Sequence, residues 1–137
     1  QSAGSPPYTI DPMSLLQVQA ALAVLEDEGG VAGRNAIYRA RAGLLRTGYE
    51  ALGLTIARWP GMPLSSIGTA LELPAGHTFE ALARRLASDE IEGHTFEIYA
   101  AQGKLSATLF RIFHMGAYEL DVYRVFLRAL ERALATG

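Results

Sequence analysis

The chain is expected to fold as an α+β protein, a two-layer sandwich: a small, mainly antiparallel sheet with helices on one face, preceded by two long helices. Three observations predict this. Two segments with apolar residues at three- and four-residue spacing open the chain, with no strand signal between them. Short alternating runs then bracket a third helical segment. A last apolar stripe of helical period closes the chain.

Residues 1–7 are read as an expression remnant, Gln1-Ser2-Ala3-Gly4-Ser5, with an extended arm, and residues 8–137 as one domain. Pro6, Pro7 and Pro12 keep the entry extended, which makes Tyr8-Thr9-Ile10 a non-helical arm. Ser14-Leu15-Leu16-Gln17 has the form of a capping box, Leu15, Val18, Leu22 and Leu25 follow at helical spacing, and Gly29-Gly30 supplies the stop. A second helix is predicted from Gly33 to Leu52. Ile37, Ala40, Leu44, Gly48 and Ala51 form its apolar face, and Arg34, Arg39, Arg41, Arg46 and Glu50 a solvated one.

Leu54–Trp59 reads as a strand ended by Pro60-Gly61, and Ser65–Leu73 as another in which Ile67, Thr69 and Leu71 share a face. Thr78 caps a short helix with Phe79, Leu82 and Leu86 inside and Arg84 and Arg85 outside. Thr95–Tyr99 is a weak strand signal and Leu109–Met115 a strong one. Gly116 then turns the chain into a helix with Leu120, Tyr123, Leu127, Leu130 and Leu134 as its core stripe. Two long helices with no strand between them suggest a bridge to something outside this chain.

Composition narrows the function classes. Half of the 137 residues are hydrophobic, 19% are charged, and the net charge is −2, which excludes a disordered chain. No basic footprint points to nucleic acid. No run approaches the ~18 apolar residues of a membrane span. Without cysteine there is no disulfide framework or thiolate chemistry, which fits a reducing, cytoplasmic setting. His77, His94 and His114 lack metal-ligand spacing, and no nucleophile elbow, phosphate loop or dinucleotide fingerprint occurs. Asp89-Glu90-Ile91-Glu92 reads as a solvated turn. Lys104 is the one lysine among 12 basic residues, in a loop where it is expected to be solvated and not a nucleophile.

Two residues stand out. Arg111 lies inside Leu109-Phe110-Arg111-Ile112-Phe113-His114-Met115-Gly116, and a guanidinium among such neighbours needs an anion beside it. Strand alternation groups it with Leu109, Phe113 and Met115, either as an apolar-walled carboxylate clamp or as core with an internal ion pair. Thr9, on an extended arm before a helix, offers a hydroxyl to an anion or simply bonds its own backbone.

Read together, these segments resemble the C-terminal small domain of class V, fold-type I pyridoxal-phosphate-dependent aminotransferases, such as the alanine–glyoxylate, serine–pyruvate and 2-aminoethylphosphonate–pyruvate transaminases. The resemblance runs from Tyr8 to Leu134. It rests on Tyr8-Thr9 before the first helix, Glu28-Gly29-Gly30-Val31-Ala32 with Arg34 and Tyr38, Ala51-Leu52-Gly53-Leu54, and Phe110-Arg111-Ile112 with His114-Met115-Gly116. It implies that Arg111 clamps the carboxylate of an amino- or oxo-acid substrate. It also implies that Thr9, with Tyr8 in the same arm, reaches the cofactor phosphate of a partner subunit in a homodimer. The chain departs from the family at Phe113, where glycine is common, and at Asp11-Pro12, which shifts the proline of the arm. The Schiff-base lysine, the aspartate facing the pyridine nitrogen and the stacking aromatic belong to the family's large domain, which would precede residue 1. This chain alone is therefore expected to be inactive, with no cofactor bound covalently. The other reading is a stand-alone, non-catalytic α+β binding or dimerisation module.

Overall fold

A computed structural model of the chain describes residues 11–135. Tyr8 and Thr9 lie outside the described residues. The chain divides into two compact units between Ala36 and Ile37.

The first unit contains helix α1, Pro12–Asp27, whose N-cap is Asp11. The Asp11 carboxylate accepts from the Met13 and Ser14 amides at 3.0 and 3.3 Å and from the Ser14 hydroxyl at 2.7 Å. The Ser14 hydroxyl, then the Met13 amide, hold the Asp11 carboxyl below its ordinary range. The expected cap at Ser14 is thus displaced one turn earlier. A charged acceptor gains from the helix dipole, and Pro12 at the first helical position gives up no hydrogen bond. No residue of α1 is buried; Met13, Leu15, Leu16, Val18, Leu22 and Val24 are all exposed. Gly29 and Gly30, with φ of 86° and 69°, stop the helix as predicted, and Gly30 at once starts helix α2, Gly30–Ala51, ahead of the predicted Gly33. Gly33 is needed for another reason: a Cβ there would collide with the Glu28 carbonyl.

The second unit is built on a three-stranded antiparallel sheet, β1 (Gly68–Glu72), β3 (Leu109–Phe113) and β2 (Tyr99–Ala100) in that spatial order. Helices α3 (Phe79–Ser88) and α4 (Leu120–Ala135) and the later turns of α2 supply the second layer. Leu71, Phe110 and Ile112 point inward and join Leu45 and Tyr49 of α2, Leu82 and Leu86 of α3, and Phe126 and Leu130 of α4 in one core. Four helices and this small antiparallel sheet make the α+β fold that was expected. Thr78 caps α3 as expected, its hydroxyl accepting from the Ala81 amide at 3.2 Å.

Three local expectations are corrected. The predicted strand at Leu54–Trp59 shrinks to a single bridge, Ile56 with Leu71, flanked by hydrogen bonds from Ala57 to Ala70 and from Glu72 to Thr55. Pro60 and Pro63 donate no backbone hydrogen bond, and the chain leaves the sheet edge before them. The buried positions of α2 are Arg41, Ala42, Leu45 and Tyr49, one residue round from the predicted face. Arg41 is therefore not solvated. Its Nη1 donates to the carbonyls of His114 (3.4 Å) and Gly116 (2.6 Å), and its Nη2 to that of Tyr118 (2.7 Å), while Tyr38 and Tyr123 present their ring faces to it. Arg85 also turns inward, donating to the Ala133 carbonyl at 2.9 Å, where His77 meets the neighbouring Leu134 carbonyl at 3.1 Å. Each of these side chains is drawn in by carbonyls that a turn or a helix end leaves without partners.

Candidate functional site

Arg111 stands on the central strand, and the period of two decides its direction. Phe110 and Ile112 enter the core, so Leu109, Arg111 and Phe113 face the other side of the sheet, the first two half-buried and Phe113 exposed. Ala70 on β1 and Tyr99 on β2 are its cross-strand neighbours. The small alanine leaves the guanidinium room. Nε and Nη2 both donate to the Ala100 carbonyl, at 3.3 and 3.1 Å, and the guanidinium carbon lies 5.5 Å from the centre of the Phe113 ring.

Among the described residues no carboxylate makes the internal ion pair with Arg111 that one reading called for. The ion pairs among the described residues join Arg34 to Glu28, Arg124 to Asp121 and Arg128 to Glu92, and none reaches Arg111. A guanidinium has five N–H donors, and the one carbonyl occupies only the Nε side. The Nη1–Nη2 edge is left to receive a planar anion in a fork.

Arg111 lines a cleft of about 300 Å³ together with Phe113, Trp59, Met62, Leu64 and Ile67. The Phe113 ring lies over Gly68, its partner on β1, where a Cβ would come within 2.8 Å of the ring. Glycine at position 68 thus allows the bulky side chain at position 113 to form a wall. Sequence reasoning identified Phe113 and Arg111 but not Trp59 and Met62. The signal for them was present: two large apolar residues among prolines and a glycine, in Trp59-Pro60-Gly61-Met62-Pro63, are not needed to build a turn.

Beneath the sheet lies a buried polar group that the chain's own side chains do not satisfy. His114 is 1% exposed and neither ring nitrogen has a hydrogen-bond partner; the Tyr49 hydroxyl and Thr69 Oγ1 are likewise unpartnered. Burial first, then Arg46 and Arg41, push the His114 imidazole down to about 4, and burial pushes the Tyr49 hydroxyl well above its ordinary range. His114 is therefore a neutral, buried residue at neutral pH.

Among the described residues the cleft is lined by one guanidinium and by no lysine. Lys104 sits exposed on the 3-10 turn Gly103–Ala107 and does not line the cleft. No group of histidine or acidic side chains among the described residues is arranged to hold a metal, and no helix among them is long and apolar enough to cross a membrane.

No family model matches the sequence, and no curated protein does. Solved structures do match. Pyridoxamine–pyruvate aminotransferase from Mesorhizobium loti superposes with a TM-score of 0.79 at 25% identity over 98% of this chain and 33% of its own. Alanine–glyoxylate aminotransferase from Nostoc sp. gives 0.70 at 25% identity over 84% of this chain and 29% of its own. Ureidoglycine–glyoxylate aminotransferase from Bacillus subtilis, at 24% identity, shares the fold with a TM-score of 0.72 over 83% of this chain and 28% of its own. The chain spans about a third of the length of these proteins.

Proposed function

We propose that this chain is the C-terminal small domain of a homodimeric, pyridoxal-phosphate-dependent aminotransferase of the class V type, and that Arg111 receives the carboxylate of the amino- or oxo-acid substrate. The observation that carries the reading is Arg111 itself, a half-buried guanidinium that lines an apolar cleft with no carboxylate of the described residues paired to it. The similarity to solved aminotransferases supports it. So does α1, whose apolar side chains stand exposed as they would where a further part of the protein covers them.

Pyridoxal phosphate supplies the amino-group carrier and the electron sink for this class of reaction. The chain's own contribution is positioning. A fork-to-fork pair with Arg111 fixes the plane of the substrate carboxylate, and with it the direction of the substrate's amino or keto group. The Ala100 carbonyl and the Phe113 ring hold the guanidinium in turn, so little side-chain freedom is lost when substrate arrives. Thr9, with Tyr8 beside it, would reach the cofactor phosphate in the partner subunit, a role that rests on the family resemblance alone.

The test is transamination by the gene product that carries this chain, with Arg111→Gln as the variant. Loss of a charge-assisted, two-pronged contact worth about 3 kcal/mol raises KM for the amino acid about a hundredfold. An unchanged KM would refute the role of Arg111. A gene product that transfers no amino group when supplied with pyridoxal phosphate would leave the non-catalytic binding module as the reading.

A further inference from the structure

The cleft around Arg111 has one charged wall and several apolar ones. Trp59, Met62 and Ile67 come from the segment leading into β1, and Phe113 from β3. They are 47%, 68%, 38% and 48% exposed, so a ligand that covers them removes apolar surface from water. The segment is braced. The Met62 amide bonds the Trp59 carbonyl at 3.1 Å, the Ile67 amide bonds Ser65 Oγ at 3.2 Å, and Arg46 donates to the Ser65 carbonyl. Among the described residues no Asp, Glu, Lys or His lines the cleft, and Arg111 is the one arginine that does. A second carboxylate or a phosphonate on the ligand would meet no counter-charge from the described residues that line the cleft.

We propose that this cleft selects monocarboxylic amino and 2-oxo acids with apolar side chains. Arg111 holds the carboxylate, and Trp59 and Met62 cover the side chain. The proposal rests on the Arg111 reading above and adds the class of substrate.

Trp59 is the single tryptophan of the chain, so its fluorescence reports entry into the cleft directly. The experiment titrates acetate, butanoate, hexanoate, hexanamide and adipate into the full chain. Binding is expected to saturate and to tighten about threefold to fourfold per added methylene. Hexanamide and adipate are expected to bind at least about tenfold more weakly than hexanoate. Met62→Ser, at an exposed position, flattens the chain-length series. Arg111→Gln removes the difference between hexanoate and hexanamide, with circular dichroism confirming the fold of both variants.

Hexanoate no tighter than acetate, or adipate as tight as hexanoate, overturns the apolar substrate class. In that event the Arg111 reading stands if Arg111→Gln still abolishes acetate binding. Equal binding of hexanoate and hexanamide by the unaltered chain overturns both, without recourse to any variant.

Discussion

Acid should destabilise this protein through His114, and the size of the effect can be worked out. The ring is 1% exposed just beyond the end of β3, and the backbone on either side of it is tied down. Its amide donates to the Ile67 carbonyl at 3.1 Å, and its carbonyl accepts from the Tyr123 hydroxyl at 3.2 Å and from Arg41 at 3.4 Å. A proton on the ring would find no acceptor at either nitrogen and two arginines for company. Burial, then Arg46, then Arg41 lower the imidazole from 6.5 to about 4 in the folded chain. Between those values the unfolded chain binds the proton and the folded chain does not. Stability is therefore unaffected well above 6.5, falls as the pH drops through 6.5, and reaches its full loss below about 4. The full drop corresponds to about 3 kcal/mol, and screening of the arginine charges by solvent reduces it to about 2 kcal/mol.

The assay is urea unfolding of the protein and of His114→Leu at about pH 7.5 and about pH 4.5, a range that spans the His114 transition. Groups common to both proteins cancel in the difference. The gap between the two proteins should shift by about 2 kcal/mol in favour of the leucine variant at the lower pH. Parallel pH dependence, within about 0.5 kcal/mol, would refute the reasoning. So would an NMR titration of the His114 ring with its midpoint near the ordinary histidine value.

Two further substitutions test the structure around the site. Arg41→Ala strips donors from the carbonyls of Gly116 and Tyr118 and a stacking partner from Tyr38 and Tyr123; it should cost about 3 kcal/mol in urea unfolding, and a loss under about 0.5 kcal/mol would contradict the buried role given to Arg41. Gly68→Ala puts a methyl within 2.8 Å of the Phe113 ring, which must turn away; a cost of about 1 kcal/mol in stability and a changed hexanoate affinity by Trp59 fluorescence are expected, and no change in either would show that Phe113 is not wedged over Gly68.

Much of the fold was legible because local chemistry decided it. Gly29 and Gly30 end α1 through positive φ, Thr78 caps α3 through its own hydroxyl, and the alternation along β3 places Arg111 opposite Phe110 and Ile112 whatever the rest of the chain does. The α1 cap was misplaced because Asp11 and Ser14 are both good caps, and only the geometry shows the aspartate accepting from the serine. The strand at Leu54–Trp59 was overread because its residues suit a sheet while Pro60 and Pro63 limit how far it can pair.

The sequence by itself determined that one strand carries an arginine between apolar neighbours and that four segments have helical period. It did not determine which arginine is buried. Helical spacing says which residues of α2 share a face, but Arg41 is drawn in by carbonyls 73 to 77 positions away, beyond the reach of any local pattern. Alternation says that Arg111 and Phe110 take opposite faces, but only the packing of α2, α3 and α4 onto one side decides that the arginine's side stays open. The tertiary structure therefore separates the two arginines: the one expected in solvent ties the turn after β3 to α2, and the one expected to need an anion, from a ligand or from the chain, lines an apolar cleft with no carboxylate of the described residues paired to it.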